Sequence, residues 1–89
     1  MTRACTSLKK DEQVVFLCHS TIYDKKVPEI GNVIYVLPEK KTVCVCYLEG
    51  YKSRTEDVPY EDMLAVYDKD GEEMYFDNIH GPSRKLSPI

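Results

Sequence analysis

The apolar residues of this chain fall into runs too short for a helix, and this spacing constrains the fold more than any other feature. Each run spans four to seven residues and is followed by polar, charged, glycine or proline residues. No segment of ten or more residues carries the repeat of an apolar helical face. Together with one weaker, polar segment at 53–58, the runs predict six strands, over residues 13–18, 32–37, 42–48, 53–58, 64–67 and 73–76.

Composition and turn residues support the same interpretation. Seven Tyr, two Phe and many Val suit a pleated, half-buried surface. The turn at residues 38–41 predicts a hairpin over 32–48, and the Asp-Gly signal at 68–71 predicts a second hairpin. Residues 60–63 are long enough for only one helical turn. The polar stretch 19–31, punctuated by Pro28 and Gly31, is predicted as a long loop.

The chain of 89 residues is predicted to form one domain. We expect a flexible leader over residues 1–11, a single β-barrel domain over 12–77 and an extended C-terminal tail over 78–89. No apolar run is long enough for a transmembrane helix, and residues 1–10 lack the apolar core of a secretory signal. A cytoplasmic location is therefore expected, although a secreted chain without its signal would have the same composition.

Five or six short antiparallel strands with punctuating turns predict an all-β fold, either a small barrel or two packed sheets. The element order and three motifs bear a likeness to a known group: GNV at 31–33, VCVCY at 43–47 and VPYEDM at 58–63. Over residues 12–68 the chain resembles the Src-homology-like (SH3-like) small barrels, especially the Tudor and KOW types. The resemblance implies a small SH3-like barrel of five or six strands with one short helical turn.

The resemblance also implies a binding module. Tudor-like barrels hold methylated Lys or Arg peptides in aromatic cages, and KOW-like barrels bind RNA or the surfaces of ribosomes and RNA polymerase. This chain departs from the KOW pattern because it is acidic, with a net charge of −3.

The negative charge is concentrated in the second half of the chain. Residues 49–77 contain ten acidic and three basic residues, a net charge of −7, whereas the segments on either side each carry +2. Such a field repels phosphate and attracts basic partners, within about 8–10 Å at physiological salt. A basic protein or peptide is therefore the expected partner.

Three tyrosines lie in predicted loops and are the candidate ligand-binding residues. Tyr23, Tyr51 and Tyr60 are expected to meet at one rim of the barrel, where their rings could hold a cation. Glu61 and Asp62 follow Tyr60 and favour a cationic ligand. The alternative is that Tyr60 packs back onto the barrel as a plug.

The cysteines predict no metal site. Cys18, His19, Cys44 and Cys46 contain zinc-ligand atoms, but two cysteines one residue apart on a strand splay poorly around one ion. Buried free thiols are the favoured interpretation, and a Cys5–Cys18 disulfide stays open. No cofactor is predicted.

No catalytic set is visible, because the chain has neither a Ser/His/Asp arrangement nor a glycine-rich phosphate loop. The sequence therefore predicts a non-enzymatic binding or adaptor module that recognises a basic protein or peptide and has no membrane association. The alternative is a KOW-type module that contacts nucleic acid through the lysine pairs at 9–10, 25–26 and 40–41. An exposed edge at 53–58 or 73–76 could pair between copies, so the oligomeric state is left open.

Overall fold

The computed structural model describes residues 2–76 and shows an all-β domain. The only helical segments among these residues are three single 3₁₀ turns, Cys5–Ser7, Pro38–Lys40 and Tyr60–Asp62. The strands are β1 (Thr2–Arg3), β2 (Gln13–Ser20), β3 (Lys25–Leu37), β4 (Thr42–Glu49), β5 (Lys52–Pro59), β6 (Met63–Tyr67) and β7 (Glu73–Phe76). None of the helical segments in this part of the chain has the length or apolar character needed to cross a membrane.

All seven strands belong to one sheet in the order β1-β7-β6-β2-β3-β4-β5. Strands β2 to β7 pair antiparallel, and β1 pairs parallel with β7. Register shifts between Val15 and Phe16 and between Val33 and Tyr35 mark irregularities that bend the sheet around its core. The all-β prediction is confirmed. The architecture is compatible with a small SH3-like barrel, but the sheet is not closed, because no pairing joins β5 to β1 among the described residues.

The core is built by alternate residues of the central strands. Val14 and Phe16 on β2 point to the same side as Val43 and Val45 on β4, in keeping with the two-residue period of a strand. Phe16 is the largest of the fully buried side chains. The other members of the core cluster are Cys5, Leu8, Cys18, Val33, Val58, Met63 and Val66.

The prediction of a long loop over residues 19–31 is wrong. Strand β2 continues to Ser20, and β3 begins at Lys25 and pairs with β2 along its whole length. Pro28 is tolerated there because the ladder between β3 and β4 begins only at Asn32, so one side of β3 is a free edge at Pro28. Gly31 is a site of close backbone approach and does not break the strand.

The described part of the predicted leader is also structured. Cys5 and Leu8 are buried in the core, and β1 pairs with β7. The packing of the Cys5 and Leu8 side chains holds this otherwise polar segment against the core. The domain therefore begins before residue 12. Residue 77 and the predicted tail over 78–89 lie outside the described residues.

The remaining predicted elements are confirmed. Strands β3 and β4 form the expected hairpin, and β6 and β7 form the second. In the turn between β6 and β7, the Asp68 carboxylate accepts hydrogen bonds from the backbone N–H groups of Asp70 and Glu72, both at 2.8 Å. Gly71 completes this turn with a φ of 81°.

Candidate functional site: an acidic cleft

Three polar side chains converge where the inner face of the sheet opens between β2, β4 and β5. The Cys18 Sγ lies 3.5 Å from the Tyr47 Oη and 3.7 Å from Glu56 Oε1. The Tyr47 hydroxyl donates to the same Glu56 oxygen at 3.3 Å. We use the name acidic cleft for the cluster of side chains formed by Cys18, Glu29, Tyr47 and Glu56.

The strand period explains why polar groups meet there. Cys18 follows Phe16 on the inward side of β2, and Tyr47 follows Val45 on the inward side of β4. Glu56 lies directly opposite Val45 in the β4–β5 ladder, so it faces inward as well. The inward row is therefore apolar at the centre of the sheet and polar at its open end.

Glu29 enters the cleft from β3. It pairs with Phe16 across the β2–β3 ladder, which directs its side chain to the inner face, and it is half-buried. Its charge reaches the Cys18 thiol, as the pKa of that group indicates.

Both neutral acids of the cleft are held in their protonated forms. Burial raises the pKa of Cys18, and the charges of Glu56 and Glu29 raise it further, outweighing the opposing hydrogen bond with Tyr47. The hydrogen bond with Cys18, burial and the charge of Glu56 raise the pKa of Tyr47 well above its ordinary value. The negative charge of the cleft therefore resides on its carboxylates.

A lysine on the outer face of β3, opposite His19, shows which charge the neighbouring carboxylates accommodate. The Lys26 Nζ donates a hydrogen bond to Asp62 Oδ2 at 2.7 Å, and the Asp62 side chain is only 11% exposed. The hydrogen bond with Asp62 raises the pKa of Lys26, and the charges of Asp62, Glu61 and Glu56 add to it against the cost of desolvation. Three carboxylates from β5 and the adjoining 3₁₀ turn thus favour one ammonium group.

Two carboxylates of the cleft have no direct ion-pair partner among residues 2–76. Lys26 is engaged by Asp62, and neither Glu29 nor Glu56 forms an ion pair with a Lys or Arg side chain in this part of the chain. Glu56 accepts hydrogen bonds from the neutral hydroxyl of Tyr47 and the weakly polar thiol of Cys18, and its charge acts on Lys26 without a direct contact. Among the described residues, the cleft therefore carries carboxylate charge that no direct ion pair neutralises.

The three predicted loop tyrosines do not share one rim. Tyr23 and Tyr51 are exposed in the β2–β3 and β4–β5 turns, at the same end of the sheet. Tyr60 follows the far end of β5, a strand of eight residues. Such a strand is about 26 Å long, so Tyr60 lies apart from Tyr51.

Tyr60 instead packs back onto the core of the domain, as in the alternative arrangement. Its ring contacts the core cluster, and its hydroxyl is buried without a hydrogen-bond partner in the described structure. Burial raises the pKa of this hydroxyl. Of the two acidic residues that follow, Asp62 is buried and bound to Lys26, and Glu61 is exposed beside them.

Sequence reasoning missed the residues that form the cleft. In the sequence, Tyr47 is one residue of a predicted strand, Glu29 falls in the predicted loop and Glu56 in the weak polar strand, and none of these patterns indicates a site. One signal was available: Glu56 lies two residues before Val58, and Tyr47 two residues after Val45, so both fall on inward positions of their strands.

The cysteines do not come together as metal ligands. Cys44 and Cys46 lie on the outer face of β4, where Cys46 contacts the Ser53 hydroxyl at 3.3 Å, whereas Cys18 lies on the inner face. Within residues 2–76, no group of three or more His, Cys, Asp or Glu side chains could hold a metal ion. Cys18, Cys44 and Cys46 are free thiols, so no disulfide joins Cys5 to Cys18.

The chain matches no protein-family model, no curated protein and no solved structure.

The protonated acids of the cleft predict a loss of stability in alkaline solution. Folding raises the pKa of Cys18 above its ordinary value of 9.0 and that of Tyr47 above 10.0, so the unfolded chain releases both protons first. Their contribution is complete below pH 9.0 and is lost progressively above it. We expect the urea midpoint to fall above pH 9.0, and to fall less steeply in Tyr47→Phe. An equal decline in both proteins would contradict a role for the Tyr47 hydroxyl.

Proposed function

We propose that this chain is a non-catalytic binding module that recognises a basic segment of a protein or peptide. One observation carries the proposal: among residues 2–76, the carboxylates of Glu29 and Glu56 form no direct ion pair with a Lys or Arg side chain, while Glu56 and its neighbours already stabilise the ammonium of Lys26. A lysine or arginine side chain of a partner supplies the missing positive charge.

The number of aromatic side chains in the cleft indicates which kind of cation the cleft can bind. Tyr47 is the one aromatic side chain of the defined cleft, and Phe16 contacts it edge-on from the core, with ring centroids 5.5 Å apart. A methylated ammonium is held by several aromatic faces, whereas an unmodified ammonium or guanidinium pairs with carboxylates. The arrangement supports recognition of unmodified Lys or Arg by charge.

The exposed turn tyrosines extend the proposed surface. Tyr23 and Tyr51 project from the two hairpin turns at the same end of the sheet. Tyrosine provides a large contact area with few rotatable bonds, so these two residues are proposed to contact the partner outside the cleft. Tyr60 is not part of this surface, because it packs on the core.

The chemistry of the cleft supports binding over catalysis. A cysteine acts as a nucleophile in its thiolate form, and the pKa of Cys18 is raised by burial and by nearby carboxylates. The resemblance to Tudor-type barrels and the expected cytoplasmic location are part of the same proposal.

The alternative, a nucleic-acid module, has less support. Lys9-Lys10 precedes β2, whereas Lys25-Lys26 begins β3 at the opposite end of the β2–β3 hairpin, and Lys26 is bound to Asp62. The three lysine pairs are therefore not all at one end of the sheet.

A charge-matched variant tests the proposal. We expect a ten-residue peptide of alternating lysine and serine to bind, and the Glu29→Gln/Glu56→Gln double variant to bind at least about tenfold more weakly at low salt, in line with the loss of two charge-assisted contacts. The measurement is isothermal titration calorimetry. The control is Asp70→Asn/Glu72→Gln, which removes the same two negative charges from the distant β6–β7 turn.

Two outcomes would contradict the proposal. One is equal peptide affinity of the double variant and the control. The other is salt-sensitive binding of a single-stranded RNA oligonucleotide that the double variant retains, which would favour the nucleic-acid alternative.

A further inference from the structure

Strand β5 forms an open edge of the sheet. It is the last strand in the sheet order, and within residues 2–76 only β4 pairs with it. An edge of eight residues presents a row of main-chain donors and acceptors to any strand that can approach it.

The direction of these free groups follows from the β4–β5 ladder. The Tyr60 N–H donates to the Lys41 carbonyl at 3.0 Å, one residue beyond the last paired positions. Main-chain groups alternate in direction along an antiparallel strand, so even-numbered residues of β5 face β4. The N–H and C=O groups of Ser53, Thr55 and Asp57 therefore point to the open edge.

The side-chain charges change sign from the first half of β5 to the second. Lys52 and Arg54 carry positive charge in the first half of β5, and Glu56 and Asp57 carry negative charge in the second half. Thr55 lies between them. An antiparallel copy of the same sequence therefore opposes positive with negative charge, and opposite charges directly across a strand pair are stabilising.

We propose that β5 pairs with β5 of a second copy in an antiparallel arrangement centred on Thr55, forming a two-fold symmetric dimer. The residues whose main-chain groups point to the open edge are odd-numbered in both copies. The numbers of two directly opposed residues therefore add up to an even sum, and the register can shift only by changing that sum by two. The register centred on Thr55 opposes Arg54 of each copy to Glu56 of the other. A shift in one direction opposes Arg54 to Arg54, and a shift in the other opposes Glu56 to Glu56.

The favoured register also suits the side chains. Arg54 and Glu56 occupy a pair without direct main-chain hydrogen bonds, where side chains approach most closely. Arg54 already pairs with Glu49 of its own chain, and its guanidinium has donors for a second carboxylate. Ser53 opposes Asp57 at the two flanking positions. The two-fold axis closes the assembly at two copies.

Complementary charge reversals test this pairing. We expect wild-type protein to show a concentration-dependent dimer in sedimentation equilibrium. Arg54→Glu and Glu56→Arg each create two like-charge pairs, so each variant alone should dimerise at least about tenfold more weakly. An equimolar mixture restores both opposite-charge pairs and should form a heterodimer. The control Asp70→Asn changes a charge in the β6–β7 turn, far from β5 in the sheet order, and should leave dimerisation unchanged.

A second variant addresses the main chain. Thr55→Pro removes the N–H group at the two-fold axis, which points away from β4, and should abolish the dimer while far-ultraviolet circular dichroism retains the β spectrum. This variant also serves if Glu56→Arg disturbs the contacts with Tyr47. Glu29→Gln should leave the dimer intact, which separates this proposal from peptide binding.

The proposal is overturned if wild-type protein stays monomeric up to millimolar concentration. It is equally overturned if folded Arg54→Glu and Thr55→Pro variants dimerise as wild type does, or if the two folded charge variants fail to associate when mixed.

Discussion

Replacement of Gly31 by alanine is expected to lower the free energy of unfolding by about 3 kcal/mol, at the upper end of the usual cost of overpacking. For a domain of this size the thermal midpoint should fall by roughly 12–24 °C. A methyl group on Gly31 would lie 2.7 Å from the Cys46 carbonyl oxygen, 3.0 Å from the Phe16 ring and 3.2 Å from the Tyr47 Cβ. The closest of these atoms is backbone, so no side-chain rotation relieves the contact.

A substitution at a second glycine distinguishes the cost of a steric clash from the cost of a left-handed backbone conformation. Gly50 has a φ of 66° and no atom within 4 Å of an added Cβ, so Gly50→Ala costs only the left-handed conformation. That cost is about 1–2 kcal/mol. Thermal unfolding followed by circular dichroism measures both variants. A smaller loss for Gly31→Ala than for Gly50→Ala would contradict the close-contact explanation.

The same substitution connects the fold to the acidic cleft. Gly31 lets β3 approach β4 closely enough for Phe16 to contact Tyr47, and Tyr47 in turn carries the hydroxyl that donates to Glu56. Displacement of Tyr47 should therefore weaken peptide binding in Gly31→Ala protein that is still folded at low temperature. The fold and the proposed site depend on one close backbone approach.

The strand positions could be predicted because their signals are local. The predicted segment 73–76 coincides with β7. The boundaries of β4, β5 and β6 differ from the predicted ones by no more than one residue at either end. In each case a short apolar run or a proline limits the strand. These features lie within a few residues of the position that they determine.

The errors arise where distant contacts decide the structure. Residues 25–31 are polar and contain Pro28, yet they form a strand because β2 offers main-chain partners along its full length. Cys5 and Leu8 enter the core because β1 pairs with β7, some 70 residues away. No local pattern reports these pairings.

The candidate site was harder to predict than the fold for a similar reason. The sequence predicts that Glu61 and Asp62 favour a cationic ligand, whereas Asp62 binds Lys26 of the same chain. The acidic cleft depends on the register of three ladders, which decides that Glu29 and Glu56 face inward together. The sequence shows which residues alternate along each strand. It does not show which residues of neighbouring strands lie opposite each other.

Phe16→Ala is expected to have the largest effect on stability of any substitution considered for this chain. Phe16 is completely buried and is the largest of the fully buried side chains. Its truncation should lower the free energy of unfolding by about 3–5 kcal/mol through lost transfer energy and the cavity left behind. A domain of this size has a total stability of roughly 5–13 kcal/mol, so the loss removes a large fraction of it.

The cavity lies directly behind the acidic cleft, so the change should also be felt there. Tyr47 rests edge-on against Phe16, and without that ring the Tyr47 hydroxyl loses its fixed position relative to Glu56. Urea unfolding followed by circular dichroism measures the stability, with Ile22→Ala as the control because Ile22 is 83% exposed. The control should change stability by no more than about 0.5 kcal/mol. A loss below about 2 kcal/mol for Phe16→Ala would mean that β2 does not supply the centre of the core, and the inward assignment of Cys18 on the same strand would then fail with it.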